Sequence, residues 1–458
     1  MQILIFAAAL IALAVVGFWL GRYRAITSAS ASHTRLHSLA GYYGWYVAVW
    51  CALPPLLLLL AWLAFEPQIL RTLVIDSLPQ EARDLPPARL GLLLNDIRNL
   101  AAGGAASADP TVQSAADRYN ALRWTSHLTV FALAAALALA GLLWTRSRIS
   151  PHLRARNRVE HVITALLIAS SVVAVFTTVG IVLSLIFEAS RFFLRVPLTE
   201  FLFGLEWSPQ IALRADQVGA SGAFGAVPLF VGTLLIALIA MGVAMPAGLF
   251  SAIYMAEYAH PRFRAVVKPV LEILAGIPTV VYGFFAALTV APFFRSAGGE
   301  AGFDVSSESA LAAGVVMGIM IIPFVSSLSD DVISAVPQSM REGSYGLGAT
   351  QSETIRRVIL PAALPGIIGG FLLAVSRAIG ETMIVVMAAG LAANLTVNPF
   401  QAVTTVTVQI ATLLVGDQEF DSPKTLAAFA LGLVLFCVTL TLNVIALRIV
   451  TKYREQYE

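Results

Sequence analysis

Nine long apolar runs divide the chain, at about residues 1–20, 42–65, 125–145, 162–187, 227–253, 269–291, 309–329, 361–391 and 425–448. A helix needs roughly 20 apolar residues to cross the ~30 Å hydrocarbon core of a bilayer, and these runs meet that length. A β-barrel would instead show short segments of alternating polarity. The pattern therefore predicts an all-α, polytopic helical membrane protein. Three runs precede the basic, proline-containing stretch "TRSRISPHLRARNRVEH" and six follow it, which sets an expected division between residues 1–160 and 161–458. In the first region, residues 66–124 form a long outer loop. There Leu90, Leu93, Leu94, Ile97 and Leu100 recur at helical spacing ahead of Gly103 and Gly104. This predicts an amphipathic helix ended by the glycines, either packed as a small structural element or serving a ligand.

Composition agrees with the pattern. Hydrophobic residues make up 58% of the chain and charged residues 12%, against about a quarter charged in soluble domains. Segments 21–41, 146–161, 254–268, 330–360 and 449–458 hold most of the 29 Lys and Arg, so these loops are expected in the cytoplasm. The N-terminus is then expected to face outward and the C-terminus to be cytoplasmic. Arg22 and Arg24 follow the first run instead of preceding it, so that run is expected to be an uncleaved reverse anchor. The cysteines, Cys51 and Cys437, both fall within apolar runs, and no His/Cys cluster has metal-ligand spacing. Neither a disulfide framework, a metal nor a cofactor is expected. The net charge of +2 follows from topology and gives no reason to expect a nucleic-acid partner.

One stretch breaks the apolar pattern: "REGSYGLGATQSETIRRVILPAALPGI", residues 341–367. Pro337 suits the first turn of a short helix, and "QSMREGSYG" can continue it for about two turns. Gly346 and Gly348 then permit a left-handed exit. Thr350 and Ser352 are candidate N-caps of a second short helix, with Pro361 at the start of the next span. Spacing alone leaves residues 335–361 open between a helix–turn–helix knob and an ordinary amphipathic loop.

The order Glu342-Gly343-Ser344, Gly348, Val358, Leu360-Pro361 resembles the pattern EAA-x3-G-x9-I-x-L-P of permease subunits of ATP-binding-cassette importers. Every gap agrees. The departures are Gly343 and Ser344 for the two alanines and Val358 for isoleucine, and Gly343 should weaken its helix by roughly 1 kcal/mol relative to Ala. The resemblance implies that this loop docks into a cleft of an ATPase subunit dimer and passes its closure to the membrane helices. The chain itself has only three lysines, Lys268, Lys424 and Lys452, preceded by Val267, Pro423 and Thr451. None can complete a G-x4-G-K-[ST] phosphate loop, so the motor is expected to be a separate chain.

"LEILAGIPTVVYGFF" (271–285), "GIMIIPFVSSLSDDV" (318–332) and "SRAIGETMIVVMAAG" (376–390) resemble the phosphate-specific permeases, and "GETM" favours the PstC-type subunit over its partner, which usually reads GETAP. The likeness covers about 161–458 and implies a type I importer fold of six spans, here preceded by three extra ones. Residues 1–160 look like the N-terminal extension that some bacterial members carry. The family implies location in the bacterial inner membrane, which makes the outward N-terminus periplasmic. It also implies phosphate as substrate, a PstA-type second permease, a periplasmic phosphate-binding protein and a possible contact with PhoU or a sensor kinase.

Arg377 and Glu381 lie in an otherwise uncharged run, one helical turn apart, so they are expected to share a face. A charge at mid-bilayer costs at least ~2.5–3.5 kcal/mol, so it normally faces a cavity or a partner. A guanidinium offers a planar fork for phosphate oxygens. The pair can line a substrate pathway or simply neutralise itself, and the family resemblance, in which matching charges serve transport, favours the pathway. Glu272 is expected at an interface, Asp330 and Asp331 as flanks of the coupling loop, and Pro246, Pro278 and Pro323 as kinks within spans. A permease for another oxyanion, such as molybdate or sulfate, and a membrane signalling subunit are the competing readings.

Overall fold

The computed structural model describes residues 2–83, 85–104, 110–211, 221–415 and 422–453. The last residues of the C-terminal tail, 454–458, lie outside them. Among the described residues nine helices are long and apolar enough to cross a membrane. The chain divides into two units, Met1–Val175 and Phe176–Glu458.

The first unit contains α1 (Gln2–Ser32), α2 (Ala40–Ser77), α3 (Gln80–Arg83), α4 (Pro87–Ala101) and α5 (Pro110–Arg148). It also holds the start of α6 (Ala155–Phe193), within which the division falls. Its main core joins Leu10 and Ala25 of α1, Tyr43, Val47 and Cys51 of α2, and Ala138 and Leu142 of α5. The Tyr43 hydroxyl donates to the Pro151 and Leu153 carbonyls at 3.1 and 3.0 Å, fixing the connection between α5 and α6. The expected outer loop is largely helical, because α2 runs on to Ser77 and α5 begins at Pro110. The predicted amphipathic helix is α4: Leu94 and Ile97 are buried against Val74, Leu78, Val112 and Ala115, with Leu90, Leu93 and Leu100 beside them. It stops before Gly103, whose φ of +93° allows the chain to turn.

The second unit contains the rest of α6, then α7 (Leu198–Phe203) and a hairpin of β1 (Trp207–Ile211) and β2 (Ser221–Phe224), a small exception to an all-helical chain. After these come α8 (Val227–Ile253), a π turn (Tyr254–Tyr258) and α9 (Pro261–Ala275). The next crossing segment is α10 (Thr279–Phe285), a second π turn (Ala286–Val290) and α11 (Ala291–Glu300). Helix α12 (Ala310–Ser334) leads to α13 (Gln338–Gly346), α14 (Gln351–Thr354), a third π turn (Ile355–Ile359) and α15 (Leu360–Ile379). The chain closes with α16 (Met383–Ala388), α17 (Val406–Leu413) and α18 (Pro423–Tyr453).

Helix α12 is the axis of this unit, and α8 is its closest neighbour. A Cβ at Gly314 would lie 2.7 Å from Ile239, and one at Gly318 would lie 2.8 Å from the Ala240 carbonyl. The small-x3-small spacing lets two backbones approach as membrane helices do where packing, rather than water exclusion, drives association.

Two expected spans are revised. The run 269–291 does not cross as one helix: α9 buries none of its residues, the chain breaks at Gly276–Pro278, and crossing starts at Thr279. Proline disfavours helical geometry in the residue before it, here Ile277, which places the break. Pro278 is thus an N-cap and no mid-span kink. The run 361–391 likewise ends as a helix at Ile379, and α16 follows a separate start at Thr382.

Candidate functional site

The stretch that interrupts the apolar pattern folds as a helix–turn–helix knob. Pro337 is the N-cap of α13, and Gly348 leaves it with φ +85°, the left-handed geometry that glycine adopts without strain. Thr350 caps α14 in a full capping box: its hydroxyl accepts from the Glu353 N–H, and the Glu353 carboxylate accepts from the Thr350 N–H at 2.9 Å. Ser352 lies inside α14. Pro361 stands in the first turn of α15, as expected, although helical structure is continuous from Gln351 to Ile379 through the π turn Ile355–Ile359. The wider turn precedes the point where proline cannot donate, so the interruption is absorbed locally instead of ending the helix.

The motif residues divide by exposure. Glu342 and Gly343 face outward on α13, and a Cβ at Gly343 would have nothing within 4 Å. Leu347 is 91% exposed. Ser344 turns inward and shares a 2.9 Å hydrogen bond with the buried Thr354 hydroxyl, joining α13 to α14. Leu360 packs on the cluster of Ile333, Val336, Ile355 and Ile359 beneath the knob, while Pro361 is exposed. A groove of about 500 Å³ runs between the two short helices, bordered by Met340, Leu347, Gly348 and Val358.

Sequence reasoning missed what holds the knob. Arg341 Nη2 meets Glu257 Oε1 at 2.9 Å and donates to the Ile333 carbonyl at 2.9 Å, while Nη1 donates to the Val336 carbonyl. The two side chains are only 12% and 7% exposed. Gln351 donates to the Glu257 carbonyl at 2.6 Å, so the π turn after α8 grips both short helices. A second cluster ties α9 to α12. Asp330, fully buried, accepts from Arg264 at 2.8 Å and from Lys268 at 2.8 Å, and Asp331 lies 3.4 Å from Lys268. The hydrogen bond to Asp330 holds Lys268 above its ordinary value. That stabilisation is present at neutral pH and is lost only as pH rises through the raised value. The one sequence clue was the adjacency of Arg341 to Glu342. The partner, Glu257, lies 84 residues away.

Arg377 and Glu381 are not arranged as the apolar run suggested. Arg377 ends α15, exposed, with its guanidinium 5.7 Å from the centre of the Phe324 ring. Glu381 lies in the break beyond Gly380, and its Oε1 accepts from the N–H groups of Met383 and Ile384 at 3.1 and 3.4 Å. No ion pair joins the two among the described residues, because the helix that would have stacked them stops between them. The carboxylate instead satisfies donors of the α16 start. The non-helical segment 389–405 that follows is anchored by buried Gln409. Its amide accepts from Trp207 Nε1 at 3.0 Å and donates to the Leu391 carbonyl at 3.2 Å and to Thr404 at 3.3 Å. Irregular backbone at membrane depth persists only where protein or a water-filled cavity surrounds it. Arg377 is the one Lys or Arg between residues 377 and 405.

Residues 7–177 match the family described as "Phosphate ATP-binding cassette transporter", and residues 244–455 match "Binding-protein-dependent transport system inner membrane component". The chain is 35% identical over 243 residues to the probable ABC transporter permease protein YqgH of Bacillus subtilis, covering 52% of this chain and 74% of that one. It is 33% identical over 264 residues to the phosphate transport system permease protein PstC of Mesorhizobium japonicum, covering 54% and 76%. Against PstC of Xylella fastidiosa the identity is 31% over 305 residues, covering 63% and 90%.

Proposed function

We propose, since the chain belongs to the family of binding-protein-dependent phosphate-transport permeases, that it is the transmembrane permease subunit of an ATP-driven inorganic phosphate importer. The observation that carries this reading is the clamped knob, which exposes Glu342, Gly343 and Gly348 of the importer motif and is braced on the π turn after α8 through Glu257. A force applied to exposed Glu342, Gly343 and Leu347 would travel through Arg341 to the end of α8, and α8 lies against the central α12. An ATPase subunit dimer supplies that force, and the chain hydrolyses nothing itself. The basic loops face the cytoplasm of a bacterial inner membrane, with the N-terminus periplasmic and the C-terminus cytoplasmic.

In this reading Arg377 lines the pathway. Its exposed guanidinium receives phosphate oxygens on the face that a PstA-type second permease would close. Glu381 acts by holding the start of α16 rather than as the counter-charge. A periplasmic phosphate-binding protein delivers the anion, and PhoU or a sensor kinase is a further contact of the assembled importer. Residues 161–458 form the permease proper, and 1–160 form an extension.

The test is phosphate uptake into proteoliposomes holding the complete complex, with molybdate and sulfate as competitors. ATP-dependent uptake of phosphate that neither competitor suppresses is expected. Preferential transport of either competitor would overturn the substrate, and uptake without any ATPase subunit would overturn the mechanism.

A further inference from the structure

An open basin of about 890 Å³ lies in the first unit where α5 ends and α6 begins, and nothing in the transport reading uses it. Trp50 of α2 and Trp144 of α5 form one wall, their rings 5.5 Å apart in an edge-to-face pair. His152, Arg154, Arg158 and His161, from the connection and the first turns of α6, form the other. We propose that this basin binds the headgroup of an anionic phospholipid through its phosphate.

The basic loop by itself would follow from topology, which requires arginines at this level but not their convergence on a cavity. Three features go further. First, no carboxylate among the described residues lines the basin, and Glu160, the nearest acid in sequence, is already engaged 2.5 Å from Arg156. The positive charge of Arg154 and Arg158 is therefore not neutralised within the site. Second, one lining guanidinium is pre-placed. Arg158 donates to the Tyr46 hydroxyl at 3.0 Å and lies 5.7 Å from the centre of that ring. Stacking of this kind leaves most guanidinium donors pointing outward. Third, the wall is amphipathic: Trp50 and Trp144 are 38% and 45% exposed, beside a charged floor. Tryptophan belongs at the headgroup level of a bilayer, and basic pockets between membrane helices hold anionic headgroups. A free phosphate ion would satisfy the arginines but leave the tryptophan wall unused, which favours the lipid.

The test titrates the full chain, in neutral detergent, with phosphatidylglycerol, phosphatidylcholine or inorganic phosphate. Retained lipid is read by native mass spectrometry and the unfolding midpoint by intrinsic fluorescence. Retention of phosphatidylglycerol with a raised midpoint, and little effect from phosphatidylcholine, is expected. Arg154→Gln should weaken retention about fivefold, and Arg154→Gln with Arg158→Gln roughly twentyfold. Arg154 is exposed and makes no ion pair among the described residues, so its variant should fold as the parent does. Equal retention of phosphatidylcholine would overturn charge recognition. Displacement of the lipid by inorganic phosphate would overturn the lipid as occupant. Unchanged retention in the double variant would overturn the location.

Discussion

The knob at 338–361 and the break at 377–405 both interrupt apolar runs, yet they are held by opposite means. The knob is exposed at its tip and clamped at its base by a buried ion pair, Arg341 with Glu257, and two backbone carbonyls. The break is held by neutral hydrogen bonds around Gln409 and by a carboxylate that caps a helix, while its one cation is exposed. The proposed coupling role requires the knob to keep its shape under load, and the buried Arg341–Glu257 pair at its base serves that, while Glu342 stays exposed. The proposed pathway role of Arg377 requires an available charge, and Arg377 has no counter-ion among the described residues. The difference teaches that an isolated charge in a membrane chain is more informative than a paired one.

The largest effect expected from breaking this contrast is at Arg377. Arg377→Gln should abolish phosphate uptake while assembly stays normal, because the side chain loses only a contact with Phe324 worth about 0.5–1 kcal/mol. Arg377→Lys keeps the charge without the fork and should give weakened uptake. Glu381→Gln should retain transport, since the amide oxygen still accepts from Met383 and Ile384. Uptake by Arg377→Gln at the parent rate would remove Arg377 from the pathway. Loss of uptake in Glu381→Gln with intact assembly would restore its carboxylate as a functional counter-charge.

Next in size is the clamp. Arg341→Ala leaves Glu257 buried without its partner and strands the carbonyls of Ile333 and Val336. Breaking a buried pair in this way costs about 3–5 kcal/mol. The expected outcome is faster amide exchange across 338–354 and loss of substrate-stimulated ATP hydrolysis in the complex, with membrane insertion intact. Replacing both charges with apolar residues, Arg341→Met with Glu257→Leu, should recover much of the protection. Unchanged exchange in Arg341→Ala would show that the knob does not depend on the clamp.

What the sequence made legible follows from the range of each interaction. Gly348 and Thr350 were readable because a left-handed turn and a capping box are decided within four residues. The leucines of α4 were readable because one amphipathic stripe repeats over few turns. The pairing of Arg341 with Glu257 was not, because it joins residues 84 positions apart and neither neighbourhood specifies the other. One local reading also failed. Hydropathy stays high from 361 to 391, so nothing in the apolar count revealed that α15 stops before Glu381. Pro361 does fall in the first turn of α15, but the π turn that joins that helix to α14 left no signal in the sequence.

The smallest effect separates two glycines in the knob that look alike in sequence. A Cβ added at either Gly343 or Gly348 would meet nothing within 4 Å, so steric room does not distinguish them. Backbone geometry does. Gly343 is inside α13, where replacing glycine with alanine stabilises a helix by roughly 0.5–1 kcal/mol. Gly348 has φ +85°, where a β-carbon costs about 1–2 kcal/mol. Gly343→Ala should therefore slow amide exchange in 338–346 and preserve coupling, moving the motif toward the family's alanine. Gly348→Ala should speed exchange in the same segment and reduce stimulated ATP hydrolysis. Equal responses would mean that the turn after α13 is not held in its left-handed form. Opposite responses would place the rigidity of the knob in that single turn, apart from the clamp at its base.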